Sequence, residues 1–198
     1  AFKKALEYSN DPQTKAIAAH YLKNKLPNAD APLTAMARYY IYAGSYHESI
    51  SDSAKEAEAF YQKALMESPD FEWTYSQLAN LEYQQQHYEL ATYMAEQAII
   101  RNPNYMTPYL TLGDIAMDEE RYNEAIGYYQ AGLSIGRGLL KVEDEALLAN
   151  IELQMGFAYE QLGERPEAQH CYEVAMSYSD EASNDYQYAA ASLRRLKV

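Results

Sequence analysis

Small and large apolar residues recur along this chain with a step of 34. Ala57, Ala91 and Ala125 share it, as do Ala64, Ala98 and Gly132. So do Tyr75 with Tyr109, Leu78 with Leu112, Ala79 with Gly113, Tyr88 with Tyr122, and Pro69 with Pro103. Within each window the apolar positions lie three and four residues apart, the spacing of one helix face, and strand-like alternation is absent. Between Glu72 and Tyr105 a first helix carries Tyr75, Leu78, Ala79 and Leu81, and a turn follows at Gln85–His87. A second helix carries Leu90, Ala91, Met94, Ala95 and Ala98 and ends before Pro103, which cannot continue it. Ala79 and Gly113 mark close approach within a pair, and Ala91 and Ala98 mark close approach to neighbours. A larger side chain at either place would push the helices apart. A period of this length is that of an all-α array of antiparallel helix pairs, each burying its apolar face by stacking on the next.

The periodicity divides the 198 residues as follows. Residues 1–30 read as a weaker helix pair, a degenerate or truncated repeat. Residues 31–71 form a repeat whose first helix fits best as Leu33, Met36, Ala37 and Tyr40, ending at Gly44, with a long loop Ser45–Ser53 before the second helix. Repeats follow at 72–105, 106–138 and 139–182. The last is displaced by nine residues, since Ala125 and Ala168 are 43 apart, and Gly138–Leu148 is expected to lengthen its first helix. At 183–198, Tyr186, Ala189, Ala190 and Leu193 fit one further helix without a partner, a cap over the last apolar face.

These windows resemble the tetratricopeptide repeat (TPR) family, whose pattern has Leu then Gly or Ala in the first helix and Ala, an aromatic and Pro in the second. The window 72–105 supplies Tyr75, Leu78, Ala79, Ala91, Ala95, Ala98 and Pro103. The next supplies Tyr109, Leu112, Gly113, Ala116, Ala125, Tyr129 and Gly132, and the last Met155, Gly156, Tyr159, Ala168, Tyr172 and Ala175. The resemblance implies a right-handed superhelical α-solenoid that docks a peptide or helix of a partner along a concave groove lined by first helices. Carried over, the groove positions are Trp73, Ser76, Asn80, Tyr83 and Gln84 in the second repeat, and Leu110, Asp114 and Met117 in the third. The fourth offers Leu153, Phe157 and Gln161, and the first Arg38 and Tyr42. Apolar anchors among amides suit recognition of a peptide or amphipathic helix. The family's carboxylate clamp is absent: Asn80 matches its asparagine, but Ser76, Thr107 and Thr111 stand at its basic positions. The region Ala35–Phe71 also looks like the repeat region of membrane-anchored winged-helix regulators of the CadC type, and of some adenylate cyclases. That makes a sensory or regulatory C-terminal module the alternative function.

Composition narrows the partner. Between Tyr39 and Asp185 there are seven basic and twenty-six acidic residues, within a chain of net charge −13. Such a surface repels phosphate backbones and disfavours direct nucleic-acid binding, and it suits a neutral or basic protein. Self-association is the competing occupant of the groove. No apolar run reaches the ~18 residues of a membrane span. The chain begins at Ala1, inside a helical pattern, and reads as part of a longer protein.

A single cysteine, Cys171, rules out an internal disulfide and a thiolate cluster; it fits a reducing compartment without excluding the periplasm. No phosphate loop or nucleophile elbow is present. His20, His47, His87 and His170 stand in separate repeats, and Asp118-Glu119-Glu120 falls at an inter-helix turn. The expectation is a non-enzymatic interaction scaffold with no metal, cofactor or catalytic residue.

Overall fold

The computed structural model describes Pro12 and residues 33–49, 53–136 and 145–196. Among the described residues there are nine α-helices and no strand. They are α1 (Ala35–Ser49), α2 (Ala54–Glu67), α3 (Glu72–Gln84), α4 (Tyr88–Arg101), α5 (Thr107–Asp118), α6 (Tyr122–Gly136), α7 (Glu145–Leu162), α8 (Arg165–Ser177) and α9 (Asn184–Leu196). The chain divides into two compact units, Ala1–Asn102 and Pro103–Val198. In the first unit α1 packs on α2, α2 on α3, and α3 on α4; in the second the same order runs from α5 to α9.

The turns inside the pairs α3–α4, α5–α6 and α7–α8 repeat one motif. Gln86, Glu120 and Gly163 have φ of 62°, 58° and 78°. The next N–H reaches back to the carbonyl five residues earlier, His87 to Glu82 at 2.9 Å, Arg121 to Ala116 at 2.8 Å and Glu164 to Tyr159 at 2.9 Å. This Schellman closure satisfies the carbonyls at the end of the first helix and reverses the chain within three residues, so the paired helices run antiparallel.

Close packing within the pairs rests on a ring lying over a glycine. Tyr61, Tyr129 and Tyr172 are fully buried. A Cβ built on Gly44, Gly113 or Gly156 would come within 2.5, 2.5 and 2.8 Å of those rings respectively. In the pair α3–α4 the corresponding residues are Ala79 and Ala95, both buried.

This contact corrects the reading of the first repeat. Gly44 does not end a helix; it lies inside α1, which continues to Ser49. Residues 45–49 of the long loop expected at Ser45–Ser53 are therefore helix, and one residue more separates Gly44 from Tyr61 than Gly113 from Tyr129. The register of α1 moves by seven residues. Seven residues are almost two helical turns, so the apolar face is nearly unchanged and periodicity alone does not distinguish the two alignments. The expected pair at 1–30 lies outside the described residues, as does the part of Gly138–Leu148 before Glu145; the remainder is helical, within an α7 of 18 residues.

Helix α9 covers the end of the last pair. Its Ala189, Leu193 and Leu196 pack against Leu153, Ala168, Tyr172 and Ala175. Arg195 donates to both oxygens of Glu160 on α7, at 2.9 and 2.8 Å.

The ring–glycine contact makes opposite predictions for two glycines of the α5–α6 pair. Gly113→Ala drives a methyl into a buried ring and is expected to cost about 1–3 kcal/mol. A Cβ added at Gly127, in α6, would meet nothing within 4 Å. Gly127→Ala is therefore expected to gain about 0.5–1 kcal/mol from helix propensity. Urea unfolding followed by circular dichroism measures both; equal effects would remove the steric account.

Candidate functional site

The candidate groove residues fall into the two units. In the first, Arg38 and Gln84 are exposed. Tyr42 is 4% exposed and packs with Tyr39, Tyr46 and Phe60; the corrected register removes it from the groove positions. Ser76 is fully buried, and its hydroxyl has no hydrogen-bond partner. Trp73 is half-buried, stacked on Phe71 with centroids 6.4 Å apart and edge-on to Tyr61 at 6.2 Å, so it contributes to packing. Asn80 donates to Glu48 at 3.4 Å, tying α3 to α1. Tyr83 packs on Tyr88, with centroids 6.1 Å apart.

In the second unit, Leu110 packs against the core formed by α5, α6 and α7, and Gln161 is exposed. Met117, Leu153 and Phe157 come together. With Asp118, Asn150, Gln154 and Tyr188 they line an open cleft of about 430 Å³ between α5, α7 and α9. Helical spacing explains the convergence: Asn150, Leu153, Gln154 and Phe157 lie on one face of α7. Phe157 is half-buried, with its ring edge-on to Tyr122 at 6.3 Å. Tyr188 lies against Tyr172 at 6.3 Å and brings the capping helix into the wall. The cleft thus has an apolar floor and a rim of two amides, a carboxylate and a phenol.

The buried tyrosines also organise the acidic groups of the first helices. Tyr61 donates to Glu48 at 2.7 Å, Tyr129 to Asp114 at 2.7 Å and Tyr172 to Glu160 at 3.0 Å. Sequence reasoning missed these bonds. The signal available was an acidic residue one or four positions after each close-approach glycine, on a helix whose partner carries a tyrosine. Arg195 and the Tyr172 hydroxyl hold the Glu160 carboxyl below its ordinary range against a smaller opposing effect of burial. Burial pushes the Asp114 carboxyl up, the Tyr129 hydroxyl opposes this, and the charge of Asp118 adds to it.

The described residues contain no group of three or more His, Cys, Asp or Glu able to hold a metal ion. Cys171 is buried while His170, its neighbour, is exposed. No helix among the described residues is long and apolar enough to cross a membrane.

Asp114 carries a pH prediction. Its folded pKa is raised, so the folded chain holds its proton to higher pH than the unfolded chain does. Its contribution to stability is therefore greatest below the unfolded value of about 3.9 and is lost as pH rises through the folded value. Asp114→Asn keeps an oxygen for the Tyr129 hydroxyl and has no charge to desolvate. Thermal melts from acid to neutral pH should show the variant gaining on the wild type as pH rises; a constant difference would refute the assignment.

A family model described as tetratricopeptide repeat matches residues 107–135, which hold α5 and most of α6. Comparison with curated protein sequences gives no match. Among solved structures, the crystal structure of YrrB, described as a TPR protein with an unusual peptide-binding site, aligns with a TM-score of 0.62 and 18% identity over 92% of this chain and 84% of that one. Pseudomonas aeruginosa pilF aligns with a TM-score of 0.65 and 16% identity over 81% and 71% of the two chains. The APC/C hetero-tetramer Cut9-Hcn1 aligns at 0.72 and 16% over 100% of this chain and 39% of that one. At these identities the structural likeness concerns the fold. With the sequence match at 107–135 and the recurring ring-over-glycine pairs, it shows an all-α helical repeat array with the fold of tetratricopeptide repeat proteins.

Proposed function

We propose that this chain is a non-enzymatic protein-interaction scaffold whose cleft between α5, α7 and α9 receives an apolar stretch of a neutral or basic partner. The observation that carries this reading is the convergence of Met117, Leu153 and Phe157, from two successive first helices, on one open cleft. A thioether beside an aromatic edge offers a polarisable surface that adapts to different side chains. Asn150 and Gln154 at the rim can pair with the peptide groups of an extended segment or the polar flank of a helix. Asp118 and the surplus of acidic residues between Tyr39 and Asp185 favour a partner without strong negative charge. The peptide-binding site named for YrrB supports the same class of role. The buried polar chemistry also supports a non-catalytic reading, since burial and the neighbouring Glu152 carboxylate push the Cys171 thiol up to about 12, leaving it protonated at neutral pH.

The test compares wild type with Met117→Ala/Phe157→Ala in pull-downs from native lysate, after circular dichroism has shown equal helicity. Trp73 is left intact because it packs against Phe71 and Tyr61. Loss of a prey by about tenfold or more in the variant is expected if the two side chains are anchors. The same prey recovered equally by both proteins would overturn the cleft as docking site.

A further inference from the structure

Two helix pairs depart from the repeat, and the departures differ in kind. In the pair α7–α8, Glu152 stands four residues before Gly156, where the other pairs have Tyr40, Tyr75 and Tyr109. Cys171 directly precedes Tyr172, where the others have Phe60, Met94 and Tyr128. Both line a cavity of about 570 Å³ between α6, α7 and α8. That change is answered internally, because the Cys171 thiol is hydrogen-bonded with the Glu152 carboxylate.

The departure on α4 faces outward. Tyr61, Ala95, Tyr129 and Tyr172 occupy equivalent places on the second helices, and counting from them aligns the rest. Leu90 stands where the others have Glu56, Glu124 and Glu167, and Tyr93 where they have Ala59, Gly127 and His170. Ile100 stands where they have Met66, Ser134 and Ser177. Leu90, Tyr93 and Ile100 are 40%, 54% and 71% exposed. Among the described second helices, α4 alone carries large apolar residues at all three places.

Helical spacing puts these residues on one face. Ile100 lies two turns beyond Tyr93, and Leu90 one turn before it. Glu89 and Glu96, each four residues before Tyr93 or Ile100, run along one edge of that face, and both are exposed. Neither is ion-paired among the described residues. From Glu89 to Ile100 the face is about 16 Å long. Exposed apolar side chains gathered beside charged ones mark a docking surface, since packing within the pair does not require them.

The order across the face selects its occupant. A carboxylate edge beside an aromatic and aliphatic stripe matches a helix whose apolar stripe is bordered by lysine or arginine. A second copy matches poorly. Two α4 faces laid antiparallel about a two-fold axis would set Glu89 and Glu96 against their own like, and the chain has a net charge of −13. The same carboxylates are repelled by an anionic lipid surface.

We propose that this face of α4 docks a basic amphipathic helix of a partner protein, with Leu90, Tyr93 and Ile100 receiving its apolar stripe and Glu89 and Glu96 its cations. The surface belongs to the first unit and shares no residue with the cleft of the second.

The experiment uses the whole chain with 13C-methyl isoleucine and methionine, so that Ile100 reports this face and Met117 the cleft. The probes are acetyl-LKKLLKLLKKLLKL-amide, the same peptide with glutamate at every lysine, and phosphatidylcholine vesicles. The lysine peptide should move the Ile100 methyl signal saturably and bind there at least about tenfold more tightly than the glutamate peptide. Leu90→Ser/Tyr93→Ser keeps the reporter and should weaken that binding about tenfold, with helicity unchanged because both side chains are exposed. Glu89→Gln/Glu96→Gln should weaken it about threefold or more and flatten its salt dependence. No Ile100 response to the lysine peptide, equal binding of the glutamate peptide, or undiminished binding by Leu90→Ser/Tyr93→Ser would overturn the proposal. An Ile100 response to the vesicles would assign the face to lipid, and one to dilution of the chain alone would assign it to a second copy; either overturns the proposal. Met117 reports the cleft separately, so failure of one surface is distinguishable from failure of the other.

Discussion

A flat ring resting on a residue without a side chain sets how closely three of the helix pairs approach. The contact places Tyr61, Tyr129 and Tyr172 across Gly44, Gly113 and Gly156, with no room for a single added carbon. It combines two favourable effects. The ring is wholly removed from water, and removal of a buried aromatic side chain of this size costs about 3–5 kcal/mol. The glycine lets the helices come near enough for neighbouring leucines and alanines to touch. The pair α3–α4 reaches the same end with Ala79 and Ala95, where two methyls stand in for a ring and a hydrogen. A mixture of the two solutions, alanine beneath tyrosine, would satisfy neither.

The same ring determines what the first helices can present. A buried phenol needs an acceptor, and here each finds one on the first helix of its own pair: Glu48, Asp114 or Glu160. Each of those carboxylates is engaged by its own tyrosine, and Glu160 also by Arg195. Within the second unit this leaves the apolar residues Met117, Leu153 and Phe157, with Asn150 and Gln154, as the groups offered by the cleft. On the proposed reading, recognition there would depend on shape and apolar area, with charge acting as a filter.

Much of this is legible in the sequence because the repeat is written in small residues. Ala91, Ala98, Ala125 and Gly132 fix the second helices, and Gly113 and Gly156 fix the first. The first repeat misaligns because Gly44 reads equally as a helix terminator and as a close-approach residue; only the position of Tyr61 decides between them. Groove positions are legible as directions on a helix and not as exposure. Ser76 is buried, and the rings of Phe71 and Tyr61 pack against Trp73. Tyr188 escapes the groove rule because it comes from the capping helix, to which that rule does not extend.

Departures from a repeat are more informative than agreement with it, because agreement is already explained by packing. Glu152 illustrates the point. It places a carboxylate where the other pairs have a tyrosine, and the Cys171 thiol beside it interacts with that carboxylate. Its neighbour Cys171 is small where its counterparts are large, so the two changes enlarge the same space. Neither change weakens the contact that holds the pair together, since Tyr172 still covers Gly156. Helix α7 can therefore serve two cavities from two faces, with Leu153 and Phe157 on one and Glu152 and Met155 on the other. The ring–glycine contact lies between these faces and lets either cavity vary without loss of the fold.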